Sequence, residues 1–162
     1  MAVLRKILVA LDGSDDRVKV GEAVVALTEG RPGVEVTLLH VAPPIPDQVR
    51  QEVARLDRQI GLDVDLDRLV DREAANVLRP VKQRLEEAGV PVEIEVAVGD
   101  PGEEICRHAV RGGYDLIVMG RRGLSRLKEA FLGSVTEYVL RHSQMPVLIV
   151  QFARVEQKQQ AG

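Results

Sequence analysis

Short apolar runs alternate with longer amphipathic stretches along this chain. Runs rich in Val, Ile and Leu predict strands, because such side chains pack well on a pleated, buried surface. The first of them, KILVAL, is apolar from its second residue onward, which is typical of a strand buried on both faces of a parallel sheet. The predicted strands span residues 6–11, 34–41, 90–99, 115–120 and 147–151.

A helical pattern lies between each predicted strand and the next. The first helix is predicted to begin after Ser14 or Asp15, either of which can cap it, and to end at Gly30. Asp100 followed by Pro101 is a capping residue and a first-turn proline, which predicts the start of another helix. Because crossovers between parallel strands are right-handed, this alternation predicts an α/β fold with helices on both faces of a parallel sheet.

The stretch between the second and third strands is charged and helix-prone. A second helix there is predicted over residues 66–88, with Pro80 expected to kink or restart it. We interpret residues 43–67 as a solvated helical excursion that carries no chemistry. Within it, one helical stripe of apolar residues is formed by Val49, Val53, Leu56 and Ile60.

Length and composition predict one domain with a sizeable core. The chain has 162 residues, of which 45% are hydrophobic and only 2% aromatic, so the core must be built from aliphatic side chains. We assign residues 3–152 to this domain and interpret the polar residues 153–162 as a frayed tail.

Charge argues against nucleic acid as a partner. The formal net charge is −3 and the sequence pI is about 5.7, so the chain lacks the overall basic field that attracts nucleic acid. The low aromatic content also leaves few side chains on which bases could stack.

The chain shows no feature of a membrane or secreted protein. No apolar run approaches the ~20 residues of a membrane span, and the first run is too short for a signal-peptide core. The single cysteine, Cys106, rules out an internal disulfide, which fits a reducing cytoplasm. We interpret it as a buried structural thiol and predict a cytoplasmic protein with no membrane partner.

A glycine-rich basic loop follows the fourth predicted strand, in the stretch MGRRGLSRLKEAFLGSV at residues 119–135. Gly120, Gly123, Gly133 and Ser134 form the pattern G-x2-G-x9-G-[ST]. Glycines let backbone N–H groups approach an anion closely, and the helix predicted to start at Ser134 presents further free N–H groups. The pattern therefore indicates a phosphate cradle. From spacing alone, an alternative remains in which these glycines are only turn residues.

The loop differs from the two best-known phosphate motifs. It matches neither the Walker A pattern nor the dinucleotide fingerprint G-x-G-x-x-G. Its basic side chains can clamp phosphate, since the arginine fork matches phosphate oxygens. We nevertheless interpret at least two of these four residues as solvated surface charges: Arg121, Arg122, Arg126 and Lys128.

Asp12 is the strongest candidate outside the loop. Ligands of open parallel sheets bind beyond the carboxyl ends of the strands, where the strand order reverses. Asp12 and Val41 end the first two strands, so we expect both to meet the glycine loop there. The alternative role for Asp12 is capping the following helix. The three histidines pair with no plausible nucleophile, and we predict no catalytic residue.

Several segments together resemble the ATP-binding subclass of the universal stress protein family. They span nearly the whole chain apart from residues 43–89 and the tail, and the glycine pattern of that subclass is kept at every position. The matching segments are ILVALDGS (7–14), LLHV (38–41), DPGEEI (100–105), DLIVMGRRG (115–123), LGSVTEYVL (132–140) and MPVLIV (145–150).

This resemblance implies a five-stranded sheet in the order 3-2-1-4-5 and a role for each candidate residue. Asp12 would lie by the ribose and the metal–phosphate region, and Val41 would contact adenine through its backbone, with Ala10 and Leu11 nearby. Mg²⁺ would arrive with ATP, held mainly by phosphate oxygens, and we predict no metal site made by protein alone. The phosphates would be held by Gly120, Gly123, Gly133, Ser134 and Val135, with Arg121 beside them.

The implied function is ATP binding by a cytoplasmic stress-response or regulatory protein, with little or no hydrolysis. The resemblance also implies a homodimer formed through the strand at residues 147–151. Two alternatives remain open, a slow ATP hydrolase and a dimeric scaffold that binds no nucleotide. Related pyrophosphatases use an S-G-G-x-D-S loop where this chain has L-D-G-S, which disfavours that chemistry.

Overall fold

A computed structural model of the chain describes residues 3–121 and 132–151. Within them, five parallel strands form one sheet in the order β3-β2-β1-β4-β5, which confirms the predicted fold class and strand order. The strands are β1 (Lys6–Ala10), β2 (Glu35–Ala42), β3 (Val92–Val98), β4 (Leu116–Gly120) and β5 (Val147–Val150).

The described ranges contain five helices, four of which cover the two faces of the sheet. Two of them, α1 and α3, pack against each other and against one face, while α4 and α5 pack together on the other. The helices are α1 (Arg17–Thr28), α2 (Asp47–Ile60), α3 (Leu66–Glu87), α4 (Pro101–Arg111) and α5 (Ser134–His142).

The core consists of two aliphatic layers separated by the sheet. On the α1/α3 face, Val9 and Leu38 pack with Val24, Leu78 and their neighbours, and all four are inaccessible to solvent. The opposite layer forms around α4 and α5. Since β1 carries fully buried residues on both faces, it behaves as the central strand that its continuous apolar run predicts.

Two expectations about the helices are corrected. Neither Ser14 nor Asp15 caps α1: its N-cap is Asp16, which makes no side-chain capping bond. Helix α3 also runs through Pro80 as one continuous element, so the restart that was expected there as an alternative to a kink is wrong. By contrast, the predicted cap of α4 is confirmed, because the side chain of Asp100 accepts a hydrogen bond from the backbone N–H of Glu103 at 3.1 Å.

Candidate functional site

A cavity of about 600 Å³ opens at the carboxyl ends of the central strands. The strand order reverses between β1 and β4, so the connections that follow these two strands diverge to opposite faces and leave a crevice. Residues from both connections line the cavity, together with the end of β2. This is the place at which the sequence predicts a ligand site.

The structure brings eight of the ten predicted site residues together around this cavity. Arg121 is half-buried but is not part of the described lining, although its backbone carbonyl accepts a hydrogen bond from the N–H of Gly133 at 3.0 Å. Gly123 lies outside the described residues, as do Arg122, Arg126 and Lys128. The eight that line the cavity are Ala10, Leu11, Asp12, Val41, Gly120, Gly133, Ser134 and Val135.

The amino terminus of α5 forms one wall of the cavity. Gly133 is the N-cap of this helix and brings no side chain that could bond the free N–H groups of the first turn. Those groups, beginning at Ser134 and Val135, carry the positive end of the helix dipole. Because these residues line the cavity, the first turn of α5 can bind an anion there.

Thr136 fastens this helix terminus to the end of β4. Its side chain is buried, and its hydroxyl donates to the carbonyl oxygen of Gly120 at 3.0 Å. Thr136 is not among the predicted site residues, although its place two residues after Ser134 is a signal that could have found it. Together with the bond from Gly133 to Arg121, this contact ties the two ends of the glycine loop to each other.

Asp12 forms a turn after β1 instead of capping α1. Its Oδ1 accepts a hydrogen bond from the backbone N–H of Ser14 at 2.9 Å, while α1 begins only at Arg17. The alternative of Asp12 as the N-cap is therefore wrong. The turn holds the carboxylate at the cavity, where carboxylate oxygens can accept from the hydroxyls of a ligand.

Arg17 is a second cavity residue that is not among the predicted site residues. Its Nη1 donates to the carbonyl oxygens of Ser14 at 3.0 Å and Gly13 at 3.3 Å, so it braces the turn that contains Asp12. Its Nε is buried and has no hydrogen-bond partner among the described residues. No local sequence signal distinguishes this arginine from an ordinary first-turn charge.

The wall on the α1/α3 side was not predicted either. Val70, Glu73 and Val77 of α3 line the cavity with Ile45, which lies in the segment interpreted as an excursion without chemistry. Such a wall depends on contacts between distant elements, so no single stretch of sequence shows it. His40 also lines the cavity, and its Nδ1 lies 3.0 Å from the carbonyl oxygen of Leu11.

The remaining candidate groups are structural. Cys106 is half-buried beside the α4/α5 core layer, and burial raises the pKa of its thiol, which lowers the fraction of reactive thiolate.

Within residues 3–121 and 132–151, no cluster of three or more metal-ligating side chains occurs. Nor does any helix in those ranges have the length and apolar character needed to cross a membrane.

Comparison with known proteins identifies the family of this fold and site. The model of the universal stress protein family matches residues 4–151, and the chain belongs to this family. Universal stress protein YxiE of Bacillus subtilis (strain 168) is 36% identical over 155 residues, which covers 91% of this chain and 99% of YxiE.

Solved structures share the same architecture. The structure of MJ0577, a universal stress protein of Methanocaldococcus jannaschii, matches with a TM-score of 0.76 and 33% identity over 94% of this chain and 99% of that one. A universal stress protein from Archaeoglobus fulgidus, solved in complex with dAMP, matches with a TM-score of 0.64 and 23% identity, covering 93% of this chain and 100% of that one. At 23% identity, the similarity to the Archaeoglobus fulgidus protein shows a shared fold.

Proposed function

We propose that this protein binds ATP at the carboxyl edge of its sheet and acts as a cytoplasmic stress-response regulator through binding rather than turnover. One observation carries the proposal: an uncapped helix terminus at Gly133 and a carboxylate at Asp12 line the same cavity. A polyanion with a sugar needs both kinds of group, since N–H donors bind phosphate and carboxylate oxygens accept from ribose hydroxyls. The complex of a family member with dAMP supports an adenine nucleotide as the ligand.

The roles proposed for the cavity residues rest on their chemistry and on the family resemblance. The N–H groups at Ser134 and Val135 bind phosphate oxygens, and the Ser134 hydroxyl donates a further hydrogen bond. Asp12 binds the ribose, and the backbone of Val41 at the end of β2 contacts the base. Apolar cavity residues such as Met119 and Ile105 supply the surface on which the base is buried.

Mg²⁺ fits this site as a companion of the nucleotide. Magnesium usually keeps several waters and binds one or two carboxylates together with substrate phosphates. The described cavity offers Asp12 beside the phosphate-binding terminus of α5, and no cluster of protein ligands that would hold the ion alone. The residues present thus suit a cation that is carried by the phosphates.

The test is a calorimetric titration of nucleotide-stripped protein with Mg-ATP. The backbone of Gly133 has φ −60° and ψ 151°, which any residue adopts, so Gly133→Val should fold while its side chain obstructs the cavity. We expect micromolar binding by the wild type and a loss of about 100-fold or more, close to 3 kcal/mol, in the variant. Ser134→Ala, which removes only one hydroxyl, should lose several-fold. Absence of binding by folded wild-type protein would overturn the proposal.

We further propose that the protein forms a homodimer through residues 147–151. Strand β5 is one edge of the sheet, and edge strands present unpaired backbone groups that a second copy can use. Leu148 in this strand is 38% exposed. Leu148→Asp should therefore lower the mass measured by light scattering, whereas a mass equal to that of the wild type at the same concentration would place the interface elsewhere.

A further inference from the structure

Helix α2 is the only helix in the described ranges that buries none of its residues. It makes no extensive contact with any other described element, although its neighbour α3 packs on both the sheet and α1. Its apolar residues are nevertheless numerous, and Val49 and Ile60 are 45% and 69% exposed. Val53 and Leu56, between them, are half-buried, and every other residue of α2 is exposed. An amphipathic helix whose apolar side is partly open to solvent is a typical docking surface.

The apolar side of α2 has the spacing of a coiled coil. Val49, Val53, Leu56 and Ile60 are separated by four, three and four residues, so they occupy successive d, a, d and a positions of the heptad. A seam of this kind is narrower than the apolar face of a helix that packs on a sheet. The pattern thus suits another helix, paired along its length, as the occupant.

The flanking charges select the partner and its direction. Arg50 and Asp57 occupy the e positions beside the seam, and Glu52 and Gln59 occupy the g positions. In an antiparallel pair, e faces e and g faces g, so Arg50 of one copy meets Asp57 of the other, twice by symmetry. Glu52 then meets Gln59. In a parallel pair, the g position of one helix faces the e position of the next heptad on the other helix. Glu52 would then face Asp57, which carries the same charge.

We propose that α2 is a self-association surface, on which α2 of a second copy of this chain binds antiparallel. The layers are Val49 against Ile60 at both ends, and Val53 against Leu56 in the centre. An arrangement of this kind is two-fold symmetric, so the same residues serve both partners and the contact closes after two copies. The two exposed large apolar residues of the helix are the ones that the outer layers would bury.

The contacts that α2 makes within its own chain leave the required groups available. Arg50 pairs with Asp67 at 2.8 Å, but the two side chains are 45% and 76% exposed, and exposed ion pairs contribute little. The guanidinium has five N–H donors, so it can bind a second carboxylate. Asp57 accepts one hydrogen bond, from the backbone N–H of Asp63 at 2.7 Å, through Oδ1 alone.

The strength of this contact should be modest. A pair of 14-residue helices buries less than the roughly 1,200 Å² of a typical stable complex. We therefore expect association in the micromolar range, measurable by sedimentation of the full chain between about 1 µM and 1 mM. Leu148→Asp is included in every protein, so that pairing through β5 does not contribute.

The first test is a charge-exchange cycle. Arg50→Asp and Asp57→Arg should each weaken association by about tenfold, because each places two like charges face to face. The double exchange should restore most of the affinity. The bond to Asp67 cannot produce this recovery, since Asp57→Arg does not repair it. A double variant as weak as the single ones, or a Leu148→Asp parent protein that remains monomeric up to 1 mM, would overturn the proposal.

The apolar seam has its own matched control. Ile60→Asp should abolish association, whereas Val110→Asp should leave it unchanged within about twofold, because Val110 is a similarly exposed residue of α4 and lies outside the seam. Circular dichroism confirms that each variant is folded. Equal effects of the two substitutions would contradict a specific role for α2.

Cysteine cross-linking tests the direction. In a Cys106→Ala background, a protein with Val49→Cys is mixed with one carrying Ile60→Cys under mild oxidation. Antiparallel pairing predicts mixed disulfide dimers between the two proteins, because these positions share a layer. Parallel pairing would instead give dimers of each protein with itself, and that result, or no cross-linking at all, would contradict the proposal.

Discussion

Polar groups at the two ends of the sheet differ in their hydrogen bonding. At the amino end, the Asp115 carboxylate accepts hydrogen bonds from the backbone N–H groups of Arg5 and Lys6, both at 2.9 Å, and Lys6 Nζ donates to the carbonyl oxygen of Gly112 at 2.6 Å. At the carboxyl end, the buried Nε of Arg17 has no partner among the described residues, and α1 and α5 begin without side-chain caps.

This difference separates stability from binding. Polar groups that are bonded within the chain stabilise the fold and offer little to a ligand. Hydrogen-bond donors that have no partner around a cavity do not stabilise the folded chain, but they can bind a ligand that supplies acceptors. Substitutions at the amino end should therefore change the free energy of unfolding, and substitutions at the carboxyl end should change ligand affinity.

Replacing Asp12 or Asp115 by alanine gives the largest expected contrast between the two ends of the sheet. Asp12→Ala should weaken Mg-ATP binding by about 30-fold, roughly 2 kcal/mol, because it removes the ribose acceptor and the turn at Ser14. Asp115→Ala should lower the free energy of unfolding by about 1 kcal/mol and leave affinity unchanged. Calorimetry and urea unfolding measure the two quantities. Asp12→Asn, which keeps the turn, should lose less affinity, and equal affinities for Asp12→Ala and Asp115→Ala would remove the distinction between the two ends.

A pair of buried threonines sharpens the comparison. Thr136→Val leaves the carbonyl oxygen of Gly120 without its hydroxyl donor, so we expect about fivefold weaker binding and about 1 kcal/mol lower stability. Thr136→Ser keeps the hydroxyl, so it should retain both the affinity and the stability of the wild type. The control is Thr28→Val, since the Thr28 hydroxyl donates only within α1, to Val24 and Val25. It should cost similar stability but no affinity, and a loss of affinity there would mean that the effect is general.

Arg17 should have a smaller effect. Arg17→Leu removes the brace on the turn at Ser14 and the free Nε donor, and we expect binding to weaken about three- to tenfold. Arg17→Lys keeps a cation that can reach the same carbonyl groups but lacks the Nε–H. If the lysine variant binds as tightly as wild type, bracing alone explains the role of Arg17.

The smallest expected effect is a pH dependence at the amino end. Hydrogen bonds from the backbone of Lys6, and then of Arg5, lower the pKa of Asp115 below its usual value. A depressed folded-state pKa adds stability above the unfolded pKa of about 3.9, and this stability is lost as the pH falls through the folded value. The stability difference between wild type and Asp115→Asn should therefore shrink below about pH 4. A difference that stays constant down to pH 2.5 would contradict this assignment.

The sequence predicted the sheet well because each strand is a compact apolar run. The first strand was predicted over residues 6–11 and is observed over Lys6–Ala10, and the third was predicted over 90–99 and is observed over Val92–Val98. The cavity end of the sheet was also predicted, since it follows from the order in which parallel strands connect. The order itself came from the family resemblance and not from periodicity.

The parts of the site that were missed depend on contacts between distant elements. Thr136 bonds a carbonyl group 16 residues away, and the wall formed by α3 exists only because that helix packs beside α1. The cap of α1 was misplaced for a local reason. Ser14 offered a capping hydroxyl, but the turn formed with Asp12 shifts the helix start to Arg17.

The most direct test of the account follows backbone amide signals by two-dimensional NMR during addition of Mg-ATP. Saturable shifts are expected at the carboxyl edge, above all for Gly133, Ser134 and Val41, while the signals of the Arg5 and Lys6 amides, which are bonded to Asp115, should not move. Shifts centred on the amino edge, or none at Gly133 and Ser134 with excess nucleotide, would contradict it.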